Sequence, residues 1–306
     1  MRPVSEGPVV LGVNTGLPVL PEQRLSQLLA HYQGDLGRRR IRSLVILACL
    51  VVLVELAGRW GEVEPGKLLH HLSGLTSYFG RIMPTLRSDH LTGDIADWYW
   101  NFFGWLKLLF DTVLIAYLAT FAGMTGAGIL ACLGAANLAP NGAVRWLVKR
   151  LFEFCRTVPD LVFALLFVSA FGLGPLPGVL AIGVHSFGTL GKLYVEAVEN
   201  IDTKPVEGVH CAGGRFVDAV RFAVLPQVLP NLASYTLLRF EINVRASSIV
   251  GFVGAGGIGQ DLFVAIRKFY YTDVSAILLM IILTVSIIDL LTERIRHRLA
   301  PVEGIG

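Results

Sequence analysis

The chain has 306 residues, of which 54% are hydrophobic and 16% are charged, whereas a soluble domain carries about 25% charged residues. The formal net charge is only +3, and the basic residues stand beside apolar stretches, which argues against a nucleic-acid partner. Long apolar stretches that alternate with short charged ones predict an all-α integral membrane protein with about six transmembrane helices.

The first 40 residues are predicted to be a cytoplasmic tail, in which residues 21–33 have the apolar spacing of a short amphipathic helix. A basic run at 38–42 precedes the first apolar stretch, 43–57, so the positive-inside rule places this end in the cytoplasm. Residues 41–104 are predicted to hold the first span and an outer segment. The segment ends in aromatic residues typical of a membrane–water interface: Trp98, Tyr99, Trp100, Phe102, Phe103 and Trp105.

Residues 105–298 are predicted to form the main transmembrane domain. Its five spans are expected at 106–133, 152–171, 179–198, 228–250 and 274–291. The strongly apolar part of the third, 161–171, is shorter than the roughly 20 residues needed to cross a bilayer. We therefore expect Arg156, Pro159 and Asp160 to lie within the membrane.

Two more basic clusters, at 145–156 and 294–298, mark inner ends of spans. They place the C-terminal tail, 299–306, in the cytoplasm with the N-terminus. The four cysteines form no CxxC pair, which favours buried apolar thiols over disulfide or metal chemistry, and no metal site is expected.

A charged inner loop at 206–226 has a readable pattern. Gly213 permits a sharp turn between two short helices, and Pro226 is expected to end the second helix and begin the next span. An apolar face is predicted for presentation to another protein, formed by Phe216, Ala219, Val220 and Ala223. The alternative is an ordinary amphipathic inner loop.

This loop resembles the EAA loop of ATP-binding-cassette (ABC) importer permeases. The matching residues are Glu207, Gly213, Leu225 and Pro226, and the departures are Gly208, Val209 and Ala223, which stay small or apolar. The resemblance implies a coupling helix seated in a groove of an ATPase subunit.

A second motif, Gly254-Ala255-Gly256-Gly257-Ile258-Gly259, follows Pro226 after 27 residues. It is typical of the methionine-, osmolyte- and phosphonate-type importer permeases, and the resemblance assigns Gly254, Gly256, Gly257 and Gly259 to an outer gate. The segment also fits G-x-G-x-x-G, but a dinucleotide site needs a strand before it and a helix after it, whereas apolar helices are predicted on both sides.

A closer resemblance covers roughly residues 100–298. Residues 156–164, 185–192 and 239–245 look like the phosphonate-type branch, which imports phosphonates or related oxyanions such as phosphite or phosphate. It implies a type I ABC importer permease fold in the bacterial cytoplasmic membrane. It further implies a second permease copy in a homodimer, two ATPase subunits inside and an extracytoplasmic substrate-binding protein.

No G-x-x-x-x-G-K-[ST] motif occurs in the chain. We therefore expect a transport subunit that is not itself an enzyme and binds no cofactor, with ATP and Mg²⁺ used by the partner ATPase. The alternatives are a secondary transporter or anion channel without an ATPase, and a membrane enzyme, for which the acidic and histidine residues are too scattered.

Several polar residues fall within predicted spans, where a charge costs roughly 2.5–3.5 kcal/mol unless it faces protein or water. The candidates for a substrate pathway are Arg156, His185, Arg239, Glu241, Asn243 and Arg245. A guanidinium suits the geometry of phosphate-like anions. The structural alternative pairs Arg245 with Glu241, and Arg239 with Asp160 or Glu199.

Overall fold

The computed structural model describes residues 22–61, 65–84 and 89–299. Regular secondary structure within these ranges is helical throughout, as the sequence predicts. Contacts between Cα atoms divide the chain into two compact units, Met1–Leu75 and Thr76–Gly306.

The first unit is built on α1, a continuous helix over Glu22–Trp60. The expected amphipathic helix at 21–33 is therefore no separate element, since it continues directly into the first span. Gly34 and Gly37 lie at the junction, and a glycine inside a helix costs only about 1 kcal/mol, too little to stop it. The expected loose tail before residue 22 lies outside the described residues.

Helix α2, Pro65–Ile82, begins with a proline, which suits the first helical turn because the missing N–H has no partner there. The remaining helices are α3 Leu91–Trp98, α4 Phe102–Gly134, α5 Gly142–Thr157, α6 Asp160–Phe171, α7 Pro175–Glu199, α8 Lys204–Cys211, α9 Phe216–Ala219, α10 Leu225–Val250, α11 Ile258–Arg267 and α12 Tyr271–Leu299. A π-helical turn, Val220–Val224, joins α9 to α10, and a 3₁₀ turn, Gly251–Val253, follows α10.

Four helices of the described residues are long and apolar enough to cross a membrane. They are Arg38–Trp60 within α1, α4, α7 and Tyr271–Arg298 within α12. Two bent pairs, α5 with α6 and the run Phe216–Val253 with α11, raise the number to six if each pair is one span. The predicted number of spans thus agrees with the structure, while the cytoplasmic position of both ends stays a prediction.

The third predicted span is sharply broken. Helices α5 and α6 meet at an angle of 85°, so the segment expected to cross at 152–171 is a broken span or a re-entrant loop and not one continuous helix. Pro159 explains the break, because it lacks an N–H and its ring disfavours helical backbone at Val158, whose ψ is 124°.

Helix α7 is the centre of the second unit and packs on α4, α5, α6 and α10. Small residues permit this close packing, as is common between membrane helices. A Cβ on Gly123 of α4 would lie 2.9 Å from the Cβ of Ser186, and one on Gly188 of α7 would lie 2.6 Å from the Phe152 carbonyl oxygen of α5.

The aromatic cluster before α4 packs against the start of α12. The Trp98 indole N–H is within hydrogen-bonding distance of the Thr272 carbonyl, 3.1 Å, and the Ser275 hydroxyl, 3.0 Å, and Trp100 donates to Asp273 over 3.2 Å. These contacts tie the segment before α4 to the last long helix.

Candidate functional site

A buried polar cluster lies where α4, α7 and α10 meet. Its centre is Arg239, which is only 8% exposed and comes from the middle of α10. The Arg239 Nε donates to the Ser186 hydroxyl over 3.1 Å, and its Nη2 lies 2.8 Å from His185 Nδ1. Two consecutive residues of α7 therefore hold the guanidinium in one orientation.

The hydrogen bonds of His185 define its tautomer. A guanidinium only donates, so Nδ1 must accept from Arg239 and the ring proton must reside on Nε2. That Nε2 lies 3.2 Å from the carbonyl oxygen of Arg156 and donates to it. His185 thus links α10 to the end of α5 as a neutral ring.

Asn243, one turn along α10 from Arg239, closes the cluster. It is fully buried, and its Nδ2 donates to the hydroxyls of Thr120 and Ser186, each over 2.8 Å. The hydroxyl of Ser247, the next turn along, is buried and has no hydrogen-bond partner among the described residues. A cavity of about 420 Å³ lies beside the cluster between α4 and α10, and Thr120 lines it.

The partners proposed for Arg239 in the structural alternative are engaged elsewhere or lie beyond ion-pair distance. Glu199 accepts from Lys149 Nζ over 2.9 Å and from the Ala136 N–H over 2.8 Å. Asp160 accepts from the N–H of Leu161, and no carboxylate of the described residues lies within 4.0 Å of the Arg239 guanidinium. The cationic charge of Arg239 is therefore held by neutral groups.

Arg245 has a different environment. It forms an ion pair with Glu241 on its own helix, as the sequence alternative predicted, and its Nη2 lies 3.6 Å from Asp289 of α12. Two carboxylates thus surround one guanidinium, which leaves no excess positive charge there. Glu241 and Arg245 belong to an α10–α12 ion cluster separate from the hydrogen bonds of Arg239.

The Arg156 side chain is not part of the cluster in this structure, and only its carbonyl reaches His185. Arg156 and Asp160 form no ion pair among the described residues, because the break at Pro159 puts them on two helices at 85°. The spacing of four residues between Arg156 and Asp160 predicts an internal pair within the third span, and that prediction is wrong.

The coupling segment, residues 206–226, forms two short helices around a turn. Gly213 has φ of +84°, a conformation that favours glycine, and its N–H donates to the His210 carbonyl over 2.9 Å. The N–H of Gly214 donates to the Val209 carbonyl over 2.9 Å, which completes the cap of α8. Glu207 and Gly208 lie exposed on α8.

The apolar face predicted for the second helix is wrong in part. Ala219 and Ala223 are buried within the chain, because this helix turns them toward its own bundle. The large apolar side chains that it exposes are Val217, at 71%, and Phe222, at 63%, with Phe216 at its start.

Pro226 is the second residue of α10, as expected for a proline in a first turn, but the helix before it does not stop. The turn before it widens instead, and the Leu225 N–H donates to the Val220 carbonyl five residues back. A proline ring clashes with the carbonyl four residues earlier in an α-helix, and the wider turn relieves that crowding.

The first four residues of the glycine segment, 254–257, are non-helical, and its last two begin α11. Gly254, Gly256 and Gly257 have φ of +86°, +82° and +77°. Gly259 is helical, and only glycine fits there because a Cβ at this position would overlap the Ser248 carbonyl oxygen. The Gly254 carbonyl accepts from the Gly174 N–H over 3.0 Å, so the segment packs on the turn before α7.

Thr112 of α4 fixes the end of this segment. Its hydroxyl accepts from the Ile258 N–H over 2.9 Å, at the first turn of α11, and donates to the Leu108 carbonyl over 2.7 Å. The sequence analysis did not identify Thr112, Thr120 or Asp289, because only the packing of distant helices brings them to these positions. Ser186 was not singled out either, but it lies within residues 185–192, a segment that resembles the phosphonate-type permeases.

No group of three or more His, Cys, Asp or Glu side chains in the described ranges is arranged to hold a metal ion. The cluster instead holds one cation beside two hydroxyls and an amide, whose own donors are used inside the protein: Thr120 donates to the Ala116 carbonyl, Ser186 to Asn243 Oδ1, and Asn243 to both hydroxyls.

Comparison with known proteins identifies the fold. The chain shares 19% identity and a TM-score of 0.55 with the MetNI methionine ABC transporter in an inward-facing conformation, over 64% of this chain and 96% of that one. Among curated proteins, the phosphite transport system permease protein PtxC of Stutzerimonas stutzeri is 36% identical over 247 residues, which are 81% of this chain and 82% of that protein. The phosphate-import permease protein PhnE of Mycolicibacterium smegmatis is 40% identical over 190 residues, which are 62% of this chain and 36% of that protein.

These similarities support an importer permease over a secondary transporter or channel. The protein is a multi-pass protein of the cytoplasmic membrane. Residues 123–302 match the family described as the inner membrane component of binding-protein-dependent transport systems, and the chain belongs to that family.

Proposed function

We propose that this chain is the permease of an ABC importer for phosphite, phosphate or a phosphonate, and that Arg239 contacts the passing oxyanion. The observation that carries the proposal is the environment of Arg239, a buried guanidinium held by neutral partners. Asp160 acts on this guanidinium electrostatically but forms no ion pair with it, so the charge is not bound by a direct carboxylate contact and can attract an anion. The similar permeases of Stutzerimonas stutzeri and Mycolicibacterium smegmatis are named for phosphite transport and phosphate import, which agrees with this substrate class.

The same cluster suits transport rather than tight capture. One cation, with the neighbouring hydroxyl and amide donors engaged inside the protein, provides a weak site, and an ion must leave a conducting site as readily as it enters. The unpartnered hydroxyl of Ser247 offers a further contact one turn beyond Asn243. Selectivity would then reside in the extracytoplasmic binding protein.

Energy would come from two ATPase subunits bound on the cytoplasmic side. The exposed Val217, Phe222 and Glu207 of the coupling segment form a mixed apolar and acidic surface suited to a groove on such a partner. ATP and Mg²⁺ would bind to the ATPases. Closure of the ATPases would move the coupling segment, and the glycine segment would take part in the outer gate near the docked binding protein.

The substrate is tested by uptake. The chain is produced with its own ATPase and binding protein in a bacterium that lacks phosphate, phosphite and phosphonate uptake. Accumulation of labelled phosphite, phosphate and methylphosphonate is then measured, with labelled methionine as the control. Uptake of at least one oxyanion is expected, and it should stop when the ATPase carries a substitution in its nucleotide-binding lysine.

Two results would contradict the proposal. Accumulation of methionine alone would refute the substrate class. Oxyanion uptake that continues with the inactive ATPase would show a secondary transporter or channel.

Coupling is tested separately with Glu207→Ala and Gly213→Val. The first removes the acidic group of α8, and the second places a branched side chain at φ of +84°. Both variants should insert into the membrane and lose uptake while ATP hydrolysis continues. Normal uptake by both would remove the coupling role from this segment.

A further inference from the structure

Gln227 joins two parts of the chain that must move together if the proposed function holds. It is the third residue of α10, and its side-chain Oε1 accepts from the Asp202 N–H over 3.1 Å. Its Nε2 donates to the Ala223 carbonyl over 2.7 Å and approaches the Asp202 carbonyl at 3.3 Å. One amide thus bridges the segment before α8 and the π-helical turn before α10.

Asp202 continues this connection into α8. Its carboxylate accepts from the Lys204 N–H over 3.0 Å, at the first residue of that helix. An unbroken series of hydrogen bonds therefore runs from the start of α8 through Asp202 and Gln227 to α10. The covalent path between the same two helices passes through the Gly213 turn, α9 and the π-helical turn.

The covalent path alone is a poor transmitter of motion. Gly213 forms a turn of positive φ with no side chain to restrict its backbone, and the π-helical turn at Val220–Val224 is a rare backbone form that is often found at functional sites. A displacement of α8 could be absorbed there without reaching α10. The amide of Gln227 bypasses both positions.

We infer that Gln227 is a positioning residue that transmits displacement of α8 to α10, the helix that carries Arg239. The inference rests on the proposed function, in which an ATPase moves α8. The position needs an acceptor for the Asp202 N–H and a donor for the Ala223 and Asp202 carbonyls, and a neutral carboxamide supplies both. Glutamate would supply the acceptor but turn a second oxygen toward two carbonyl oxygens.

The test uses Gln227→Leu, which keeps most of the side-chain volume and removes all three contacts. Asn231→Leu is the matched control, since Asn231 lines the same 250 Å³ cavity one turn along α10 and has no hydrogen bond among the described residues. Each complete complex is reconstituted into proteoliposomes. Phosphite or phosphate uptake and ATP hydrolysis are measured together.

For Gln227→Leu we expect uptake to fall at least 10-fold, whereas ATP hydrolysis falls less than 2-fold. The ratio of ATP hydrolysed to anion moved therefore rises, a change that a general loss of folded protein does not produce. Gln227→Glu should give an intermediate ratio because it keeps one of the contacts. An unchanged ratio in Gln227→Leu, or the same rise in Asn231→Leu, would overturn the inference.

A second measurement does not depend on the substrate. Cys211 ends α8 and is exposed, and of the other cysteines only Cys49 is also exposed, so a Cys49→Ser background directs a spin label to Cys211. The label should become more mobile in Gln227→Leu than in Asn231→Leu, and equal mobility would overturn the link. Wild-type complexes that move no oxyanion would refute the proposed substrate. A difference in label mobility between the two variants would then still support the connection from α8 through Gln227 to α10. Gln227→Glu replaces Gln227→Leu in both measurements if the latter does not reach the membrane.

Discussion

At the scale of single residues, two arginines of α10 illustrate how a buried charge can be used. Arg245 lies among two carboxylates, Glu241 and Asp289, and contributes to an ion cluster between helices. Arg239 lies among a hydroxyl and a neutral imidazole. Asp160 interacts with Arg239 only beyond ion-pair distance, and a buried charge without a direct ion pair is costly in a membrane and marks functional positions, so the two environments point to different roles.

Replacing Arg239 with Gln should lower the initial rate of oxyanion uptake about 10- to 100-fold. The loss of a hydrogen bond from a charged donor is worth about 1.5–3 kcal/mol, which corresponds to that range. Arg239→Lys should be less impaired, because it keeps the charge without the fork geometry. Uptake of labelled phosphite or phosphate, normalised to the amount of assembled complex, measures the effect.

Arg245→Gln is the comparison for this variant. It should reduce the amount of stable complex, since it leaves two carboxylates facing each other, with little change in uptake per complex. The reverse result, with Arg239 affecting only assembly and Arg245 affecting the rate, would exchange the two roles.

Asn243 should contribute to stability. Asn243→Leu removes the donor to Thr120 and Ser186 and leaves two buried hydroxyls with fewer partners. We expect the free energy of unfolding to fall by about 1–2 kcal/mol, as for a lost buried hydrogen bond between membrane helices. Thermal unfolding in detergent measures this, and exposed Asn231→Leu should unfold at the wild-type temperature.

At the scale of elements, breaks in helices define the architecture more than their apolar lengths do. Pro159 bends α5 away from α6, Pro226 follows a widened turn, and three glycines with positive φ separate α10 from α11. Each break brings a non-helical or widened stretch next to α7 or α4: the end of α5 meets Gly188, Val224 packs with Val198, and Ile258 meets Thr112. The functional candidates lie at these breaks and at the helix crossings.

The glycine segment should tolerate no side chain at its tightest contact. In Gly259→Ala the new methyl group would overlap the Ser248 carbonyl, and such overpacking costs about 1–3 kcal/mol or more. The unfolding temperature and membrane yield should both fall. Gly128→Ala in α4 is the control, because a Cβ there meets nothing within 4 Å, and it should behave as wild type. Equal stability of the two variants would show that the α10–α11 contact is looser than described.

At the scale of the whole molecule, a permease of this family works only with partners. Its membership implies an ATPase and a substrate-binding protein. The homodimer implied by the resemblance stays a prediction, as do the numbers of each subunit.

The mass of the detergent-purified complex, measured by native mass spectrometry, tests this composition. We expect two copies of the 33.3 kDa chain and two ATPase subunits. A peak with one copy of this chain and one different permease would show a heterodimer instead.

The sequence by itself determined the class of protein, the helical fold and the position of both motifs. These properties depend on patterns that are local in the chain. Apolar length predicts a span, a basic cluster predicts its orientation, and the spacing of Glu207, Gly213 and Pro226 carries the family resemblance. The ion pair of Glu241 with Arg245 was also predictable, because residues four apart share a helix face.

Only the tertiary structure decided which partners each polar residue has. The link from Arg239 to His185 spans 54 residues, and the link from Asn243 to Thr120 spans 123. Neither pairing follows from periodicity. Both depend on the close packing of particular helices, which small residues at their contacts permit. The bend at Pro159 and the burial of Ala219 and Ala223 were missed for the same reason. A proline indicates that a helix is disturbed, but the neighbouring helices decide in which direction the chain continues.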